Sequence, residues 1–221
     1  MTTPDDKPLP EKPFPEHLRM PPTPVLETER LVLRPLRQSD APVIQRRFPQ
    51  WAVVQHLHDE IPWPYPDNGA AVNMAQCLEK MARREQCYWA LTLKGGDDGL
   101  IGRIDLWADD GVKRDQRGFW LDPEFWGRGL MTEAANAVTD FALIELGWPH
   151  LWLNNAEANI ASHRVKEKQG AREIDRTPRG YVSGPGIKVT WLLTREAWIA
   201  HGALPLEGYA IQASRRGQSC G

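Results

Sequence analysis

Two glycines separated by one residue, in Trp126-Gly127-Arg128-Gly129-Leu130-Met131, stand where a strand-like run gives way to a helical pattern. A helix start leaves several N–H groups unpaired and carries a positive partial charge. Glycine lets a ligand approach the backbone closely. Together these are the requirements of a phosphate cradle. Arg128 either adds a charge-assisted contact or points to solvent. The pattern is not a phosphate-binding GxxxxGK loop. It also lacks the third glycine of a dinucleotide fingerprint, because residue 132 is threonine. Taken alone, it also fits a tight strand-to-helix turn with no ligand.

Such a turn needs a strand before it and a helix after it. Arg117-Gly118-Phe119-Trp120-Leu121 reads as the strand. From about Leu130 to Leu146, Met131, Ala135, Val138, Ala142 and Leu146 recur at intervals of three and four, as on a buried helix face. Gly147 ends that helix and Pro149 forbids its resumption. Upstream, Leu31–Pro35 alternates as a strand. Ser39 or Asp40 then offers an N-cap, with Pro42 in the first turn. Pro62–Pro66 is a rigid loop, and Asp67 or Asn68 caps a helix running to about Arg84. Tyr88–Leu93 and Leu100–Trp107 flank a glycine-rich turn as a hairpin. Downstream come a strand at Leu151–Asn154 and a short helix from Asn159 to Gln169. A loop carrying Tyr181 and a last strand at Ile187–Thr194 follow. Antiparallel runs with one strand–helix–strand unit predict a mixed α/β sheet of α+β character. Residues 1–24 carry eight prolines and read as an extended tail. Residues 25–202 read as one domain and 203–221 as a loose C-terminal tail.

The stretch GFWLDPEFWGRGLMTEA (118–134) is followed by Asn159, Ser162, Glu167, Lys168, Gly170 and Ala171 in the spacing NxxSxxxxEKxGA. These motifs resemble the GNAT N-acetyltransferase superfamily, and most of all its ribosomal-protein Nα-acetyltransferase branch. LETERLVLRPLRQSD (26–40) and VTWLLTREAW (189–198) share the resemblance. It implies a mostly antiparallel central sheet, splayed at the coenzyme site, with helices on both faces. It implies acetyl-CoA as co-substrate and a primary amine as acceptor, either a protein N-terminus or a small-molecule amine, by direct attack. The pantetheine arm would lie beside Phe119, Trp120 and Leu121. The pyrophosphate would lie on the N–H groups of Trp126, Gly127, Arg128, Gly129, Leu130 and Met131. Met131 departs from the family's glycine or alanine, which bears on local room but not on the backbone donors.

Acetyl transfer needs an uncharged amine and a stabilised or protonated thiolate. By resemblance, Ser162 is the thiolate's hydrogen-bond donor; a first-turn serine bonded to backbone is the alternative. The tyrosine acid of many relatives is replaced by Lys166, and the strand glutamate of others by Asn154. Asp105, on one strand face with Arg103 and Trp107, is the candidate base or amine binder, and Tyr181 a further one. Asn154 can hold a water or the substrate amide. Asn159 reads as a coenzyme contact, a helix N-cap, or both. Lys166, with His163, Arg164 and Lys168, makes its helix basic and offers a partner for the coenzyme's 3′-phosphate or a solvated face. Trp51, Trp63, Tyr65 and Trp89 line the acceptor side or fill the core. Loss of the tyrosine and glutamate also fits a non-catalytic acyl-CoA-binding module.

The whole chain constrains these readings. Its 221 residues suit one domain with appendages, and 41% hydrophobic residues support a buried core. A net charge of -2 gives no electrostatic footprint for nucleic acid. Cys77, Cys87 and Cys220 are an odd number without a paired framework, which fits a reducing compartment, and the absence of a CxxC argues against a cysteine-built zinc site. His56 and His58 lack further clustered ligands, so no metal is expected. No apolar leader or membrane stretch is visible, and the expectation is a cytoplasmic protein. A homodimer is compatible with the resemblance.

Overall fold

The computed structural model describes residues 14–202; residues 1–13 and 203–221, which hold much of both predicted tails, lie outside the described residues. Five antiparallel strands form one sheet in chain order: β1 (Leu26–Glu27), β2 (Leu31–Pro35), β3 (Gln86–Leu93), β4 (Gly102–Trp107) and β5 (Arg117–Leu121). A second sheet places β8 (Gly184–Thr194) between β6 (His150–Ala156) and β7 (Arg172–Tyr181).

Strand β3 shows why helices must cover both faces. Cys87, Trp89 and Leu91 point into one core, Tyr88 and Ala90 into another. This is the alternation of a strand buried on both sides. The first core is closed by α4 (Leu130–Asp140), α5 (Ile160–Lys168) and α6 (Arg195–Ala200), through Leu130, Val138, Val165 and Trp198. The second is closed by α1 (Ala41–Arg47), the single turn α2 (Trp51–Val54) and α3 (Gly69–Ala82), through Ile44, Val54 and Met74. The described part of the proline-rich segment packs along the domain. Met20 is buried, its N–H donates to Arg84 O at 2.7 Å, and Trp89 Nε1 donates to Pro24 O at 2.7 Å.

Several elements differ from the sequence reading. The helix expected to reach Leu146 ends its α-pattern at Asp140 and widens into a π-turn over Phe141–Glu145, where Leu146 N–H donates to Phe141 O. The wider turn re-phases the buried face, so Phe141, Ala142 and Leu143 are all covered and Leu146 only partly. Asp40 stands before α1 without capping it. Its carboxylate takes both Arg34 Nη groups instead, at 2.8 and 2.9 Å. Asn68 flanks α3, but Gln45 Oε1 accepts the Ala70 N–H at 2.9 Å. The loop expected around Tyr181 is the strand β7. β7 is an edge strand, where the missing donor of Pro178 is tolerated. No helix among the described residues is long and apolar enough to cross a membrane.

Candidate active site

Strands β5 and β6 meet near their starts. Gln116 N–H donates to Trp152 O at 2.9 Å, and Gln116 Oε1 accepts the Trp152 N–H at 2.8 Å. Beyond that join the two strands belong to different sheets. The seam opens into a cleft of about 1210 Å³ whose walls include Phe119 and Trp120 of β5 and Asn154 of β6. Asp105, Asn159, Ser162 and Tyr181 line the same cleft. The glycine turn lies outside it. Gly129 borders a smaller hollow of about 430 Å³ with Thr132, Asn136 and Lys168.

The turn is built by local bonds. Asp122 Oδ1 accepts the Glu124 N–H at 3.1 Å and starts a single 3-10 turn, Pro123–Phe125. Trp126 Nε1 donates to Leu121 O at 2.7 Å and folds the chain back. Gly127 and Gly129 then take φ of 73° and 76°, a left-handed conformation that other residues adopt at a penalty. The bond from Glu133 N–H to Gly129 O, at 3.0 Å, opens the helical ladder, so the amides just before it are the orphan donors of α4. Leu130 and Met131 bury their side chains in the core, which leaves room over the backbone despite the larger residue at 131. Arg128 is exposed, its guanidinium 5.6 Å from the Phe125 ring centre.

Helix α5 presents Ser162. Asn159 is its N-cap, accepting the Ser162 N–H on Oδ1 at 3.0 Å. Ser162 Oγ accepts a hydrogen bond from Lys166 Nζ at 2.8 Å, one turn on. Lys166 is 2% exposed and lies behind Ser162, with Nζ 5.3 Å from the Phe119 ring centre. Burial, then the nearby Arg117 charge, push its basicity well below the usual lysine range, while Asp115 opposes them.

On the far side of the sheet, Asp105 pairs with Arg103, Oδ2 to Nη2 at 3.0 Å. Nε and Oδ1 approach to 2.9 Å, but without hydrogen-bonding geometry. Burial raises the Asp105 carboxyl against the lowering effect of Arg103. Arg103 also donates to Asn73 Oδ1 at 2.8 Å. Tyr181 donates from its hydroxyl to Ile187 O at 3.3 Å, and burial raises its pKa. The Val182 N–H bond to Leu57 O, at 3.0 Å, ties the β7–β8 hairpin to the segment after α2. Tyr65 lines the cleft, whereas Trp89 is wholly in the core, edge-on to Phe141. Trp51 and Trp63 pair on the surface, ring centres 5.6 Å apart.

Sequence reasoning missed Asp115 and Arg117. Asp115 lines the cleft beside Asn154, and burial raises its pKa. It sits in the polar run DDGVKRDQR, which carries no periodic signal. Arg117 read as the first strand residue, yet its guanidinium is buried on Thr139 Oγ1 and Gln169 Oε1, each at 2.7 Å.

A split, mostly antiparallel sheet with helices on both faces and a glycine turn feeding α4 defines the class of the fold. The chain belongs to the acetyltransferase (GNAT) domain family, whose profile matches residues 30–172. It is 29% identical over 108 residues to the "Probable N-acetyltransferase YjcK" of Bacillus subtilis (strain 168), covering 48% of this chain and 59% of that protein. It is 31% identical over 90 residues to the FsC-acetyl coenzyme A-N(2)-transacetylase of Aspergillus fumigatus, covering 39% and 38%. Both matches thus span less than two thirds of the relative's own length. Among solved structures, RimJ of Mycobacterium smegmatis in complex with CoA-disulfide superposes with a TM-score of 0.68 at 16% identity, covering 82% of this chain and 96% of that one. The ribosomal-protein-S5-alanine acetyltransferase of Vibrio fischeri gives 0.66 at 17% identity, covering 79% and 98%. At these identities the likeness is one of fold.

Proposed function

We propose that this chain is an acetyl-CoA-dependent N-acetyltransferase that acetylates a primary amine by direct attack. The observation that carries the reading is the juxtaposition of orphan amides at the start of α4 with a seam where β5 and β6 part. An extended ligand with a phosphate-bearing end fits that pair of features. Its pyrophosphate rests on the amides of residues 127–131, because the Trp126 N–H is taken by Pro123 O at 3.1 Å. Its pantetheine runs along Phe119–Leu121 as an added strand would, and its sulfur reaches Ser162. The acceptor amine comes from the opposite side of the cleft, where Asp105 and Tyr181 stand. Asp105 binds or deprotonates it, and the Ser162 hydroxyl stabilises the departing thiolate. Asn159 and Asn154 hold the walls in register. The names of similar proteins include a ribosomal-protein-S5-alanine acetyltransferase and an acetyl coenzyme A-N(2)-transacetylase, and both a protein N-terminus and a small-molecule amine fit the open cleft.

A thiol-release assay with acetyl-CoA tests this against peptides with a free N-terminus, polyamines and aminoglycosides. Release that depends on one acceptor class is expected. Tight acetyl-CoA binding without release on any amine would make the chain a non-catalytic coenzyme-binding module. A bound ligand at one hundred times Kd should add about 2.7 kcal/mol of stability. No melting shift with acetyl-CoA would overturn the reading altogether.

A further inference from the structure

The bond between Lys166 and Ser162 has a direction. An ammonium has three donors and no acceptor, so in this pair Ser162 Oγ accepts. The hydroxyl keeps one proton of its own to give, and Ser162 lines the cleft. Behind it, Lys166 is fully buried, its Nζ engaging Ser162 Oγ at 2.8 Å and Ser162 O at 3.3 Å. The charged groups facing it are Arg117 from β5 and Asp115 from the segment before β5. Burying a lysine on a hydroxyl, a carbonyl and the Phe119 ring, with no carboxylate hydrogen-bonded to it among the described residues, opposes folding. An apolar side chain of the same length would pack there without that penalty.

We propose that Lys166 supplies, through Ser162, the proton taken up by the departing coenzyme sulfur. The inference rests on the acetyl-transfer reading above. When the acceptor nitrogen bonds to the thioester carbon and the C–S bond breaks, sulfur leaves with the electron pair. Ser162 Oγ–H gives its proton to sulfur, forming S–H. Lys166 Nζ gives a proton to Oγ and becomes a neutral amine. The new amide nitrogen loses one proton on the acceptor side, and Lys166 regains one from water, so atoms and charge balance. Lys166 does not touch the reacting atoms and is a positioning residue. Burial and the Arg117 charge lower its basicity, which favours proton transfer from Nζ toward Oγ.

Calorimetric titration of the full chain with acetyl-CoA, CoA and desulfo-CoA, which lacks the sulfur, tests this without an acceptor. The parent should prefer CoA over desulfo-CoA by about tenfold, the order of one hydrogen bond to a charged group. Lys166→Met and Lys166→Gln should lose that preference while binding desulfo-CoA as the parent does. Lys166→Met removes a buried amine with no carboxylate hydrogen-bonded to it among the described residues and should melt no lower than the parent; Lys166→Gln keeps a polar side chain should the first variant fail to fold. A preference absent from the parent, or surviving in the variants, overturns the inference alone. Equal weakening of all three ligands makes Lys166 structural and overturns it as well. A parent that binds none of the three overturns the coenzyme reading and this inference with it.

Discussion

The Glu133 carboxylate accepts hydrogen bonds from both the backbone N–H and the Nε of Arg30, at 2.8 and 2.7 Å, and Arg30 Nη1 donates onward to Arg128 O at 2.9 Å. A residue just before β2 is thereby clamped to the first turn of α4 and to the glycine turn itself. Burial opposes the charge on Glu133, but the bonds from Thr28 and Arg30 hold its carboxyl below the usual range. A negative charge there also suits the positive end of the helix. Arg30→Ala frees the Arg128 carbonyl and lets the turn relax. We expect acetyl-CoA to bind about threefold to tenfold more weakly, the order of one neutral hydrogen bond, with little change in melting temperature. Titration calorimetry checks it, and an unaltered Kd would mean that the turn holds its shape unaided.

Ser162→Ala removes the hydroxyl facing the cleft while Asn159 Oδ1 still caps the helix through the residue 162 N–H. The expected result is a kcat lower by about a hundredfold, within the range of general acid or oxyanion-hole donors, at nearly constant affinity for acetyl-CoA. Loss of affinity with kcat intact would place Ser162 in binding and remove it from the chemistry.

Asp105→Asn separates a base from a structural partner. Removing the charge leaves Arg103 buried against a neutral amide, so a stability loss of up to about 3–5 kcal/mol is expected. If the carboxylate is the base, activity in the parent is lost as pH falls through its raised pKa. The variant's residual activity should lack that acid limb. A pH–rate curve of unchanged shape in the variant would leave Asp105 with the ion pair alone.

Asp140 offers a test of stability against pH. Burial raises its carboxyl to about 6, and the Trp198 Nε1 bond at 2.7 Å only partly opposes the shift. Folding therefore favours the protonated form. Its contribution is fully present below the unfolded pKa near 3.8 and is lost as pH rises through about 6. Asp140→Asn keeps an oxygen for Trp198 and removes the titration. Relative to the parent, the variant should gain about 1–2 kcal/mol between pH 4 and 7, after allowance for solvent screening. Parallel melting curves for the two proteins across that range would contradict the assignment.

Local chemistry makes much of this protein legible in its sequence. The glycines at 127 and 129, the strand before them and the helix after them follow from conformational freedom and apolar periodicity, which act between neighbours in sequence. Asn159 announced a helix start and caps one. The family motifs extended that reading to the whole sheet. Where local signals are weaker than long-range pairing, the reading failed: the segment around Tyr181 read as a loop, because only pairing with β8 makes it a strand. The π-turn after Asp140 was equally hidden, since a helical pattern does not record one extra residue in its last turn. The site shows the same division. Its backbone donors are a property of one short turn. The company of its side chains is not: Asp105 with Arg103, Asp115 beside Asn154, and Arg30 on Glu133 depend on strand register and on helices packed across the sheet. Lys166 shows both sides, since its spacing from Ser162 is one helical turn readable in the chain. Its burial, which makes that proximity consequential, exists only once the Phe119 ring of β5 packs against it.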